Sequence, residues 1–239
     1  MHMIDLRLWP DRLVRHAQTQ GHNRAHDEDL GYAIHSWLTD ALGELAPRTF
    51  RPMEQRDGSI RLLGYDKADA DAIREHVQRF ATPQAMAVCD WDSAASKPID
   101  DIAWREGQTL GFEVRTCPIV RGKLGERDAF LAQLPDGGEP TANSRAGVYR
   151  DWLVSRLYGA ASLDEGTFNL KAFRLVSTWR QGCSAGKQDR RTGRRVVRPD
   201  ALLSGRVTVR DPDAFRTLLY NGIGRHRAFG FGMLLLRPT

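Results

Sequence analysis

Tyr32-Ala33-Ile34-His35 places a phenol and an imidazole three residues apart. On an α-helix such positions share one face, so both side chains could reach one phosphodiester. An imidazole titrates near pH ~6.5 and can take or give a proton close to neutrality. Taken alone, a Tyr and His at this spacing are more often the ordinary polar face of a helix. Two other stretches could join them. Asn221 to Leu236 carries Gly222, Gly224, Gly230 and Gly232 around Arg225-His226-Arg227. Glycine admits positive φ and close backbone approach, and amides beside cations can cradle a phosphate chain. The plainer reading is a tight turn with solvated charges. Lys187 to Arg198 holds six cations (Lys187, Arg190, Arg191, Arg194, Arg195 and Arg198) against Asp189, a net of +5. That equals the net charge of the whole chain, so the other residues sum to zero. This stretch is either a solvated charged loop or a basic ribbon laid along a phosphate backbone. On RNA, counterion release would offset its self-repulsion.

The elements that must position these residues follow from periodicity. Ile4, Leu6 and Leu8 alternate as a first strand, followed by a polar loop with His16, His22 and His26. Asp27 to Asp29 offer an N-cap and an acidic first turn to a helix carrying Tyr32, Ile34, Trp37, Leu38, Ala41 and Leu42, ending near Gly43. Thr49–Gln55 and Ser59–Gly64 read as a hairpin about Arg56-Asp57-Gly58. Asp69–Phe80 reads as a helix with Ile73, Val77 and Phe80 on one face, and Leu110, Phe112 and Val114 mark a strand. The first half is thus β-α-β-β-α-β, the ferredoxin-like order. The second half repeats it: a helix over Ser144–Tyr158, strands over Phe168–Trp179 and Leu202–Val209, a helix at 213–220 and a strand at 233–236. Thr192-Gly193 could turn the hairpin between the two strands, and 121–147 reads as an irregular insertion. The expected fold class is α+β, two tandem ferredoxin-like (RRM-like) domains over 1–119 and 120–239, with the boundary within 118–126.

Composition narrows the field. Hydrophobic content of 41% and charged content of 27% fit a globular chain with no membrane-length apolar run. Met1 to Asp5 show no basic segment leading into an apolar one, so no signal peptide is expected. Cys89, Cys117 and Cys183 are scattered and odd in number, which suggests a reducing cytoplasm rather than disulfides or zinc. No carboxylate cluster has metal-ligand spacing, and no cofactor motif is present. A pI of about 9.4 is compatible with a polyanionic partner.

Gly222-Ile223-Gly224, a basic residue at Arg227, then Gly230-Phe231-Gly232 and an apolar strand resemble the CasE family of CRISPR repeat-processing endoribonucleases, which belong to Cascade-type complexes. Tyr32-x-x-His35 resembles the pair on that family's first helix. Gly111 to Ile119 resembles its Phe-x-Leu-Arg-Ala-Asn-Pro strand end; Phe112, Arg115 and Pro118 match, while Thr116 and Cys117 depart. The resemblance implies His35 as general acid or base with Tyr32 as companion. His26 is the second candidate if the register differs. It implies a metal-independent cut of CRISPR precursor RNA within the repeat. The substrate's 2′-hydroxyl would attack, leaving 2′,3′-cyclic phosphate and 5′-hydroxyl ends. The expected RNA contacts are Arg115, the basic stretch 187–198, Gly222, Gly224, Arg225, His226, Arg227, Gly230 and Gly232; for Arg115 a structural ion pair is the alternative. The partners implied are the repeat stem-loop and other subunits of an interference complex. Two readings compete: a repeat-binding subunit without catalysis, and an RRM pair. The latter lacks an aromatic-rich strand of the RRM type.

Overall fold

The computed structural model of the chain describes residues 1–20, 30–99, 103–122, 125–134, 144–180 and 194–239, with the backbone alone for 178–180 and 194–196. The first unit runs β1 (His2–Leu8), α1 (Pro10–Thr19), α2 (Gly31–Leu42), β2 (Thr49–Glu54), β3 (Ile60–Asp66), α3 (Ala70–Phe80), the one-turn α4 (Pro83–Met86) and β4 (Cys89–Pro98). Its strands lie in the order β2-β3-β1-β4, every neighbour antiparallel. The second unit runs β5 (Thr109–Thr116), a separate hairpin of β6 (Ile119–Gly122) and β7 (Gly125–Asp128), α5 (Arg145–Leu157), β8 (Ala161–Arg180), β9 (Arg194–Val209), α6 (Pro212–Asn221) and β10 (Leu234–Arg237). Its order, β10-β5-β9-β8, repeats that of the first unit. Both are the split βαβ arrangement, so the chain holds two ferredoxin-like units in tandem.

Local chemistry accounts for most elements. Ile4, Leu6 and Leu8 of β1 are fully buried. In α2, Ala33, Ile34, Trp37, Leu38, Ala41 and Leu42 form one apolar stripe, and the helix stops at Gly43 with φ 53°. The β2–β3 hairpin closes with Glu54 opposite Ile60 and Gly58 at φ 80°, while Asp57 Oδ1 accepts from the Ser59 amide and hydroxyl. Asp69 and Ser144 cap α3 and α5 through their side chains.

Several expectations change. His16 sits not in a loop but in α1, buried beside Leu13 and Ala17, with Nε2 2.8 Å from Asp40. Pro10 at the first helical position starts that helix. Phe80 ends α3 and is 71% exposed, because the chain turns extended at Ala81 and leaves the core. The strand at Leu110–Val114, expected to close the first half, instead opens the second: β5 pairs with β9 and β10. The first sheet is closed by β4, whose core-facing side chains are few. Sheet membership changes between Pro98, which ends β4, and Thr109, which begins β5, ahead of the 118–126 where the pattern break was expected. Within the expected insertion, β6 and β7 pair regularly from Ile119↔Asp128 to Gly122↔Gly125. Residues 194–200 of β9 pair with β8 alone, beyond the reach of β5, so a two-stranded ribbon extends past the sheet. Its expected Thr192-Gly193 turn lies outside the described residues, as do Asp27 to Asp29 and His26.

The two units share a boundary. Leu63 and Tyr65 of β3 join the core of the second sheet, and the Tyr65 hydroxyl donates to Leu234 O at 2.9 Å.

Candidate active-site cleft

The apolar stripe of α2 fixes what the helix shows on its other side. With Ile34, Trp37 and Leu38 buried, Tyr32 and His35 face away from the first core, Tyr32 exposed and His35 half-buried. The loop after α6 packs onto this face. The Phe229 ring stacks on Tyr32, with centroids 5.9 Å apart, and meets His35 edge-on at 5.4 Å. One ring from the second unit therefore touches both members of the Tyr-x-x-His pair.

The glycines build that loop, and they do so differently from the expected phosphate cradle. Gly222 donates its amide to Leu218 O, Gly230 to Arg227 O, and Gly232 to Arg115 O at 2.7 Å. Three of the four amides are thus spent inside the protein. The need for glycine is steric. A Cβ on Gly222 would stand 2.4 Å from Thr49 Cγ2, and one on Gly232 would stand 2.3 Å from Ile223 O. Gly224 lies against Trp152 and Gly230 against Phe50 and Pro52. The loop is seated on both units at once.

Between loop and helix lies a cleft of about 770 Å³. His35, Arg48, Glu126, Arg225, His226 and Arg227 line it. Arg227 donates to Asn221 O at 2.7 Å and keeps an exposed guanidinium. Arg225 Nε and His226 Nε2 both reach Glu126 of β7, at 2.9 and 2.8 Å. Sequence reasoning missed Arg48 and Glu126. Arg48 lies over the Tyr220 ring, 5.3 Å from its centroid, and reaches Asn221 Oδ1 at 3.4 Å. It sits in a connector with no periodic or motif signal, and Glu126 sits in the stretch read as irregular.

Other expected contacts fall elsewhere. Arg115 makes a two-pronged pair with Asp200, both bonds 2.9 Å, and lies 4.5 Å over the Phe231 ring. Burial opposes the Asp200 charge, yet Arg115 and Arg174 hold its carboxyl below the usual range. This is the structural ion pair that was the alternative for Arg115. Arg198 is buried, with 8% of its surface exposed, rather than displayed on the ribbon. Arg194 and Arg195 lie on the backbone of β9, opposite Arg180 and Trp179. Lys187, Arg190 and Arg191 lie outside the described residues. Among the described residues no three of His, Cys, Asp or Glu come together as metal ligands would, and no helix is long and apolar enough to cross a membrane.

Burial lowers the His35 pKa from its ordinary value. The ring is therefore neutral at pH 7 and able to accept a proton. Phe229 supplies part of that burial. Phe229→Ala should raise the His35 pKa toward the free value, and an NMR titration of the imidazole reads it directly. The titratable and charged groups facing His35 from across the cleft are Arg48, Glu126, Arg225, His226 and Arg227, with Tyr32 on its own helix. They remain in the variant, so the shift isolates the lost cover. An unmoved titration would mean that Phe229 does not shield His35.

Tandem ferredoxin-like units, with a histidine-bearing helix of the first facing an arginine-lined glycine loop of the second, define the class. The chain belongs to the CRISPR-associated protein family, whose model matches residues 1–238. Among solved structures it is similar to CRISPR endoribonuclease Cse3 bound to a 19-nucleotide RNA, at 20% identity and a TM-score of 0.63, covering 100% of both chains. It is similar to Thermus thermophilus Cse3 bound to an RNA representing a pre-cleavage complex, at 21% identity and a TM-score of 0.56, over 99% of this chain and 98% of that one. A chain of a CRISPR RNA-guided surveillance complex matches at 16% identity and a TM-score of 0.54, covering 100% of both. Among curated proteins none matches. At these identities the likeness is one of fold, and the fold agrees with the CasE resemblance carried by the three sequence stretches.

Proposed function

We propose that the protein is an endoribonuclease that cuts CRISPR precursor RNA within the repeat, at the base of its stem-loop. The observation that carries this reading is the half-buried His35 facing a cleft lined by Arg48, Arg225 and Arg227. The fold shared with Cse3, which is described as an endoribonuclease bound to RNA, supports it.

RNA cleavage by its own 2′-hydroxyl needs little from a protein. The 2′-oxygen forms a bond to phosphorus, the bond to the 5′-oxygen breaks, and cations offset the charge of the crowded intermediate. His35 in its neutral form is suited to take the 2′-hydroxyl proton. The departing 5′-oxygen gains a proton from an acid or from water, with Tyr32 beside His35 as the nearby phenol. The products are a 2′,3′-cyclic phosphate and a 5′-hydroxyl. The basic stretch 187–198 would grip the stem, with Arg190, Arg191, Arg194 and Arg195 along the phosphates. After the cut the protein would stay on the 3′ hairpin as a subunit of an interference complex, in keeping with the fold shared with a surveillance-complex chain.

Incubation with repeat RNA in EDTA tests the reading. Cleavage to cyclic-phosphate ends is expected, and an RNA with a 2′-deoxy sugar at the cut should bind but stay whole. Activity restored only by a divalent ion, or cutting of the 2′-deoxy substrate, would overturn the mechanism. Binding without cleavage would leave the second reading, a repeat-binding subunit.

A further inference from the structure

Glu126 is the one carboxylate among the described residues that line the cleft. It arrives on β7, from a hairpin that belongs to neither four-stranded sheet. Its two oxygens divide between two partners, Oε1 to Arg225 Nε at 2.9 Å and Oε2 to His226 Nε2 at 2.8 Å. Two non-bridging phosphate oxygens would meet a guanidinium and an imidazole in the same way. Burial works against the Glu126 charge, but His226, Arg225 and Arg198 outweigh it and hold the carboxyl below the usual range. It is an anion throughout the neutral range. His226 is the chain's non-glycine residue with positive φ among those described, at φ 61° and ψ 26°. A histidine takes that conformation at a cost, so contacts must hold it there, and the Glu126 bond is one of them.

We propose that Glu126 is a built-in stand-in for a backbone phosphate: it keeps Arg225 and His226 arrayed while the cleft is empty, and an RNA strand must displace it to use them. This rests on the reading of the cleft as an RNA site. The carboxylate then acts as a filter. A strand held by further contacts brings its phosphate to the right place and overcomes the like charge. A strand lacking those contacts meets repulsion, which is how an interface rejects wrong partners. A purely structural clamp predicts the opposite sign, since losing it would loosen the loop and weaken binding.

The test is Glu126→Gln, which keeps shape and a hydrogen-bonding oxygen but removes the charge. Affinity is measured for a repeat hairpin and a scrambled RNA of equal length, across a salt series, with thermal melts alongside. E126Q should bind about two- to tenfold tighter, the range expected from one ion pair and one like charge at a rim, with the larger gain on scrambled RNA. The salt slope should steepen by about 0.7, one extra phosphate contact on a single strand. Adding Arg225→Ala should abolish the gain. Equal or weaker binding by a variant with an unchanged melt would overturn the proposal. Should E126Q melt early, Glu126→Met, which removes the charge at a similar side-chain length, takes its place with the same expectation. If the wild type shows no preference for the repeat hairpin, the RNA reading fails by itself. Inorganic phosphate still decides the stand-in: it should shift the His226 ring resonances of E126Q at concentrations that leave the wild type unmoved, and equal responses would refute it.

Discussion

His35→Ala is expected to slow single-turnover cleavage of repeat RNA by about 10²–10⁴-fold, the usual contribution of a positioned general acid or base. Binding should change little. The ring faces the cleft but is one side chain among Arg48, Arg225 and Arg227, which would carry the phosphate contacts. Folding should change little as well, because His35 lies off the buried stripe of α2 and its ring packs on Phe229 rather than into the core. The measurement is cleavage at saturating enzyme, with affinity and melting followed separately. His26→Ala and His226→Ala are the comparisons. His226→Ala should also disturb Glu126 and so change binding, whereas His35→Ala should not. A well-folded His35→Ala that cuts at the wild-type rate refutes the assignment. If only His26→Ala were dead, the chemistry would stand and the helix register would move.

What the sequence shows of this site divides by range of interaction. The stripe of α2 is local, repeating with the helical turn, and that periodicity alone places Tyr32 and His35 on one face. The β2–β3 hairpin is local too, fixed by Asp57 and Gly58. β4 is not. In Cys89-Asp90-Trp91-Asp92-Ser93 the apolar alternation stops after Trp91, too short to mark a strand, because an edge strand buries little, and the sheet defines it through pairing with β1. With β4 hidden in this way, periodicity assigns β5 to the wrong half. The charged residues divide the same way. Arg225 and Arg227 announce themselves by neighbouring glycines. Glu126, a hundred residues earlier, and Arg48, in a connector, reach the cleft through tertiary packing that leaves no pattern along the chain. Arg115 shows the converse. A local motif match marks it for RNA, while its two-pronged pair with Asp200, 85 residues away, leaves no pattern along the chain.

Gly232→Ala should lower stability by about 3–4 kcal/mol: about 1–2 for a left-handed backbone in an L-residue, and about 1 for each of the two loop hydrogen bonds disturbed. For a chain of this size that is a melting shift of about 6–16 °C. Gly232 has φ 84°, and an added Cβ would lie 2.3 Å from Ile223 O and 3.0 Å from Ile223 N. Those are backbone atoms and cannot swing aside as a side-chain tip would. The move would strain the bond from Ile223 N to Gly232 O, 2.8 Å, which closes the loop, and the bond from Gly232 N to Arg115 O, 2.7 Å, which ties it to β5. Phe229, Arg225 and His226 ride on that loop, so cleavage should fall further than the stability loss alone explains at a temperature where the variant is still folded. Gly58→Ala is the matched control. Its φ is 80°, nearly the same, but nothing lies within 4 Å of the added Cβ, and it sits at the tip of the β2–β3 hairpin away from the cleft. It should cost the conformational part alone and leave cleavage intact. The difference between the two variants measures what the closed loop gives the site. Equal melts and wild-type cleavage in both would show that the glycine loop does not hold the cleft together.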